Sequence, residues 1–179
     1  MNQVGSVYGQ ALYALTKEEG CSLQVLQELS ALGESFRQEP KFLRLMSAPN
    51  LSKEERCGIL DESFRNKVHP YVLNFLKILT EKGYMQRFSD CCKEFRQAYN
   101  EDHGILEVFA YTAIELTADQ KERLSQKLHA VTGKTIDLIN RVDPSCLGGV
   151  RLDYDGKRVD DTVEHRLGSI SALLKNTVL

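Results

Sequence analysis

A chain of 179 residues, 42% hydrophobic and 27% charged, has room for one large or two small domains and is too apolar to stay disordered. Its 23 basic and 25 acidic residues are spread along the whole length and leave a formal net charge of -2, which excludes the basic stripe that counterion release on nucleic acid demands. No apolar run approaches the ~20 residues that cross a bilayer, and Met1-Asn2-Gln3-Val4-Gly5 lacks the charged head and apolar stretch of a signal peptide.

A chain that starts this way is expected in a reducing compartment, and the cysteines agree. Cys21, Cys57, Cys91, Cys92 and Cys146 are odd in number and contain no C-x-x-C. Adjacent Cys91 and Cys92 on a helix would point about 100° apart. They read as small core residues, with no metal or disulfide framework.

Taken in order, Val4, Tyr8, Ala11, Leu12 and Leu15 recur at threes and fours and predict an amphipathic helix stopped near Gly20. Ser22 is placed to cap a second helix with the stripe Val25, Leu29, Leu32 and Phe36, ended before Pro40. A short third turn carries Phe42, Leu45 and Met46. Ser52-Lys53-Glu54-Glu55 is a capping box that opens a fourth helix with Ile59, Leu60 and Phe64. Pro70 suits the first turn of a fifth, which is apolar around much of its circumference: Val72, Leu73, Phe75, Leu76, Ile78 and Leu79. After Gly83 a sixth runs through Phe88, Cys91, Cys92, Phe95 and Tyr99 and fades at Asp102-His103-Gly104.

The period then changes. Ile105 to Leu116 is rich in β-branched and aromatic residues, with Leu106, Val108 and Ala110 alternating against Glu107, Phe109 and Tyr111, the pattern of a strand. A second capping box, Thr117 to Gln120, opens a helix with Leu124, Leu128 and Val131 on one face. A strand from Thr135 to Val142 follows, closed by Asp143-Pro144. Val150–Tyr154 and Lys157–Asp160 flank Asp155-Gly156, which supply the positive φ angles of a type I′ hairpin turn. A final helix is predicted from Asp161-Thr162, with Val163, Leu167, Ile170 and Leu174 on one face. The fold class is α+β in two domains: a six-helix bundle over 1–104, then a small α/β domain over 105–179 with a hairpin and a C-terminal helix.

No catalytic, cofactor or metal site emerges. Gly148-Gly149 runs into a strand, whereas phosphate loops run into a helix N-terminus. Asp153-Tyr154-Asp155-Gly156 would need an oxygen ligand at the first position of a calcium loop and Glu at the twelfth; Arg151 and Thr162 stand there. Asp160 and Asp161 face opposite ways along a strand. His69, His103, His129 and His165 lie in separate segments, and no Ser or Cys has an activating motif around it.

Asp143-Pro144-Ser145, Leu147-Gly148-Gly149-Val150, Asp155-Gly156-Lys157, Val159-Asp160, Thr162-Val163 and Arg166-Leu167 closely resemble the C-terminal signature of the ATP synthase delta subunit family. Its mitochondrial relative is the oligomycin-sensitivity-conferring protein. Val4 with Tyr8 to Tyr13 looks like the family's first-helix motif, and Asn74 to Leu79 like its fifth-helix motif. Val7 and Gly9 depart from it, standing where the family often has Arg and Ala, as does Asp161-Thr162 in place of Gly-Ser.

The resemblance implies a non-catalytic stator subunit of the rotary ATP synthase, without cofactor, at the cytoplasmic face of a bacterial cell membrane. Its implied partners are the N-terminal helices of the alpha subunit and the C-terminal end of the b subunit, with the beta subunit a further candidate. The family's alpha-helix groove maps onto Tyr8, Ala11, Leu12 and Leu15 and onto Asn74, Phe75, Ile78 and Leu79. Val163, Leu167 and Ile170 are candidates for the stalk contact. Gly148, Gly149, Asp155, Gly156 and Asp160 mark the family and shape the hairpin. A free-standing helical scaffold would share the amphipathic helices without explaining the C-terminal signature, and a small α/β enzyme would need a pocket of clustered titratable groups.

Overall fold

A computed structural model describes residues 3–48 and 51–161. The chain divides into two compact units between Tyr99 and Asn100. Among the described residues it is a mixed helix-and-sheet protein with seven α-helices and one four-stranded sheet.

The first unit is helical: α1 (Gln3–Glu18), α2 (Ser22–Gln38), α3 (Pro40–Met46), α4 (Lys53–Phe64), α5 (Pro70–Glu81) and α6 (Phe88–Asp102), the last entered through a 3-10 turn at Met85–Arg87. The expected stripe of α2 is the core face, with Val25, Leu29, Leu32 and Phe36 all buried. Its Phe36 ring meets Phe42, Phe64 and Phe88 with centroids 5.1, 6.3 and 5.1 Å away, which ties α2, α3, α4 and α6 together. Fully burying each such side chain stabilises by about 1.5–3 kcal/mol.

The Ser52–Glu55 box is formed in both directions, at 3.1 and 2.8 Å. Pro70 occupies the first turn of α5. Ser22 does not cap α2: Cys21 holds the N-cap position, and the Ser22 hydroxyl is buried, donating to Thr16 Oγ1 at 3.4 Å. The cause is the turn before it. Gly20, at φ +69°, reverses the chain so tightly that the Cys21 amide donates to the Thr16 carbonyl at 3.0 Å, and α2 starts at once.

The second unit is a sheet ordered β2-β1-β3-β4, from β1 (Ile105–Thr112), β2 (Thr135–Val142), β3 (Val150–Tyr154) and β4 (Lys157–Asp160). β1 and β2 are parallel and joined by α7 (Ala118–Thr132), while β3 pairs antiparallel with both β1 and β4. Leu106, Val108, Ala110 and Leu152 form the core, and Leu124 and Leu128 of α7 pack on it. Val131 was expected on that face but is 86% exposed. It lies in the last turn, next to the left-handed Gly133 cap.

β1 ends four residues earlier than its β-rich composition predicts, at Thr112 rather than Leu116. The Thr112 hydroxyl donates to the Ile114 carbonyl at 2.7 Å and bends the chain out of the sheet. Asn140 on β2 holds the bend. Its Nδ2 donates to the Ala110 carbonyl and to Thr112 Oγ1, each at 2.9 Å, and its Oδ1 accepts from the Leu116 amide at 2.8 Å. At the other end of β3, Tyr154 pairs with Lys157 around Asp155 (φ +48°) and Gly156 (φ +70°), the primed turn expected.

Candidate functional site

Helix α1 carries two apolar faces. The buried one is Gly5, Gly9, Leu12, Tyr13 and Thr16. Glycines four apart let α6 come in closely: a β-carbon on Gly5 would lie 2.9 Å from Asp90 Cβ, and one on Gly9 only 2.5 Å from the Cys91 carbonyl oxygen. Tyr13 fills the same side, its ring 5.5 Å from Phe95 and 6.3 Å from Tyr99. Val4, Tyr8, Ala11 and Leu15, which share the apolar stripe of the sequence with Leu12, lie roughly 120° round the helix from that face. Val4 and Tyr8 are half-buried there, and Ala11 and Leu15 are exposed.

That outer stripe runs beside α5. Near the start of α1, Tyr8 meets Tyr84, just beyond α5, with rings 5.9 Å apart. Just past its end, Glu19 hydrogen-bonds Tyr71 in the first turn of α5. The two helices therefore run antiparallel. Along α5, Phe75 and Leu79 are buried while Asn74 and Ile78 are exposed. Of the eight groove residues, Leu12, Phe75 and Leu79 belong to the core. Tyr8, Ala11, Leu15, Asn74 and Ile78 are the ones with surface to offer a partner, with Leu15 40% and Ile78 43% exposed. Tyr84 extends the apolar strip and was not singled out in the sequence, because it falls outside both helical periods.

In the second unit, Val163, Leu167 and Ile170 lie outside the described residues. Gly148 and Gly149 follow Leu147, which holds φ +57° and is 68% exposed. Asp143 closes the loop by accepting from the Ser145 amide and hydroxyl at 3.1 and 2.7 Å, and it pairs with Arg151 at 3.4 Å. Those bonds to Ser145, helped by Arg151, hold its carboxyl below the usual carboxylate range. On the sheet face opposite α7, Arg151 stacks over Tyr111 at 4.3 Å and Arg141 over Phe109 at 4.7 Å. Arg158 grips Asp153 at 2.9 and 3.1 Å.

Burial pushes the thiols of Cys57, Cys91 and Cys92 upward, Cys91 to about 11, away from the thiolate form that a nucleophile or metal ligand needs. Among the described residues no three His, Cys, Asp or Glu side chains gather as a metal site, and no helix is long and apolar enough to cross a membrane.

Comparison with known proteins is decisive. A family model described as ATP synthase delta (OSCP) subunit matches residues 4–174. The chain belongs to that family. Among its relatives, ATP synthase subunit delta of Alkaliphilus oremlandii is 30% identical over 98% of both chains. The subunit delta of Clostridium kluyveri is 28% identical over 93% of this chain and 92% of its own. That of Prochlorococcus marinus MIT 9312 is 27% identical over 97% of each. A chain in the cryo-EM structure of the Toxoplasma gondii mitochondrial ATP synthase hexamer shares the fold, with TM-score 0.77, 17% identity and 97% and 98% coverage of the two chains. As a delta-family member this chain is a stator subunit of the ATP synthase peripheral stalk, and the family is a non-catalytic one.

Proposed function

We propose that the chain links the catalytic alpha/beta head to the b-subunit stalk and resists rotor torque, with no active site of its own. Its first unit acts as a six-helix bundle whose α1–α5 groove receives an N-terminal helix of the alpha subunit. Its second unit engages the C-terminal end of the b subunit, with Val163, Leu167 and Ile170 as contacts and the beta subunit as a further neighbour. It is held at the cytoplasmic face of a bacterial cell membrane through the complex alone.

The observation that carries this reading is the second apolar face of α1. A helix that has already buried Gly5, Gly9, Leu12 and Tyr13 still leaves Leu15 40% exposed, and Ile78 of α5 is 43% exposed. An amphipathic helix laid between α1 and α5 would cover them in the helix-in-groove mode. A durable joint needs about 1,200–2,000 Å² of interface or several smaller contacts, which is consistent with two units engaging two partners.

The test is affinity isolation of the tagged chain from gently solubilised host membranes, with the co-purifying proteins identified by mass spectrometry. Recovery of alpha, beta and b, with the head lost on deleting residues 1–20, supports the reading. Recovery of none of them, with the synthase otherwise intact, overturns it in favour of a free-standing scaffold.

A further inference from the structure

We infer that Glu28 of α2 is a positioning residue for the α1–α5 groove, acting through the first turn of α5. The inference rests on the groove reading above and names what holds one end of that groove open at a fixed width.

The first turn of a helix leaves its amides without partners inside the helix. In α5 those amides are met from outside. The His69 amide donates to Glu28 Oε2 at 2.6 Å, across 41 positions of sequence. The Tyr71 amide donates to His69 Nδ1 at 3.3 Å, and Pro70 between them has no N–H. The Glu28 carboxylate is itself oriented from its own helix, since Gln24 Nε2 donates to Oε1 at 2.9 Å. A carboxylate at this place also meets the positive end of the α5 dipole.

The same turn reaches α1. Tyr71 packs against His69 with ring centroids 5.1 Å apart and the planes tilted by 45°, and it hydrogen-bonds Glu19, the residue just past α1. Two carboxylates, Glu28 from α2 and Glu19 from the end of α1, thus clasp one turn of α5. One further turn along α5 stands Asn74, and after it Ile78, the outward residues of the groove. At the opposite end the pair Tyr8–Tyr84 makes the corresponding contact. The clasp sets the separation of the two helices where an incoming helix would enter, so its loss shows as weaker binding by a chain that remains folded.

The full-length chain is compared as wild type, Glu28→Ala, Glu28→Gln and Tyr71→Phe. A short charge-assisted bond places the His69 amide proton far downfield, and we expect Glu28→Ala to return it upfield and to speed hydrogen exchange at Val72 and Leu73. Affinity for a peptide of the cognate alpha subunit's N-terminal segment should fall about tenfold in Glu28→Ala, and by less in Glu28→Gln, which keeps an acceptor without the charge. Tyr71→Phe, which cuts only the Glu19 bond, should also weaken the peptide while leaving the His69 amide in place. An unmoved His69 amide in Glu28→Ala overturns the clasp. Equal peptide affinity in wild type and Glu28→Ala, with the amide moved, overturns the positioning role and leaves a stabilising cap. A wild type that does not bind the peptide overturns the groove reading, and the positioning role with it.

Discussion

Gly9 and Cys91 lie so close across the α1–α6 contact that a β-carbon on Gly9 would sit 2.5 Å from the Cys91 carbonyl oxygen. The obstructing atom is backbone inside a helix, so it has no rotamer by which to withdraw. In an open helix Gly→Ala gains about 0.5–1 kcal/mol, but here the overlap should reverse the sign. Gly9→Ala is expected to lose about 1–3 kcal/mol, read as a lower urea midpoint at unchanged m-value.

Gly5→Ala is the internal control. Its nearest obstacle is the Asp90 Cβ at 2.9 Å, with the Asp90 backbone beyond 3 Å. The cost should be smaller than at Gly9, and equal losses at both sites would contradict the close-approach account.

Asn140 and Thr112 form the knot that stops β1. Asn140→Ala removes three hydrogen bonds at 2.8–2.9 Å and leaves the Leu116 amide short of a partner. The expected loss is about 2–4 kcal/mol at a net worth near 1 kcal/mol per bond plus the orphaned amide. Thermal unfolding monitored by circular dichroism checks it.

Leu147 holds a left-handed backbone that disfavours a γ-branched residue and is 68% exposed. Leu147→Asn removes the conformational cost without adding glycine's entropy, and should raise stability by about 0.5–1 kcal/mol. A fall in the midpoint would mean that the leucine side chain packs in solution.

Acid should weaken the fold in a defined window. Asp61 is held below the usual carboxylate range first by its hydrogen bond to Lys77, 2.7 Å away, and Asp153 first by its bonds to Arg158. A depressed folded value means that the unfolded chain takes up protons first. This stabilisation is therefore intact above the ordinary Asp value of about 3.9, and is lost as pH falls through the folded values. Urea midpoints measured downward from pH 5 should drop, and Asp153→Asn should flatten the profile. A midpoint that rises on acidification would contradict the assignment.

Much of this was readable in the sequence because local signals and tertiary packing agree. The α2 stripe, both capping boxes, Pro70 and the Asp155-Gly156 turn each formed where spacing and φ preference put them. Periodicity places the helix at α1, but two apolar faces compete there, and the stripe at threes and fours joins buried Leu12 to the outward Tyr8, Ala11 and Leu15. The inner face depends on glycines, which carry no hydropathy signal; their i, i+4 spacing at Gly5 and Gly9 was the available clue. Ser22 is displaced as a cap by the tight turn at Gly20, and Val131 is left exposed in the last turn of α7. The Glu28–His69 bond joins residues 41 apart in sequence, a separation at which no local pattern operates.

The most direct measurement compares ATP-driven proton pumping with ATP hydrolysis in membranes whose synthase carries this chain as Leu15→Glu/Ile78→Glu. Both side chains are substantially exposed, so the fold should change by only about ±0.5 kcal/mol per site. The predicted result is hydrolysis that continues while pumping collapses, because a head not anchored at the groove turns with the rotor. Pumping that stays coupled to hydrolysis at the wild-type ratio would contradict the stator groove.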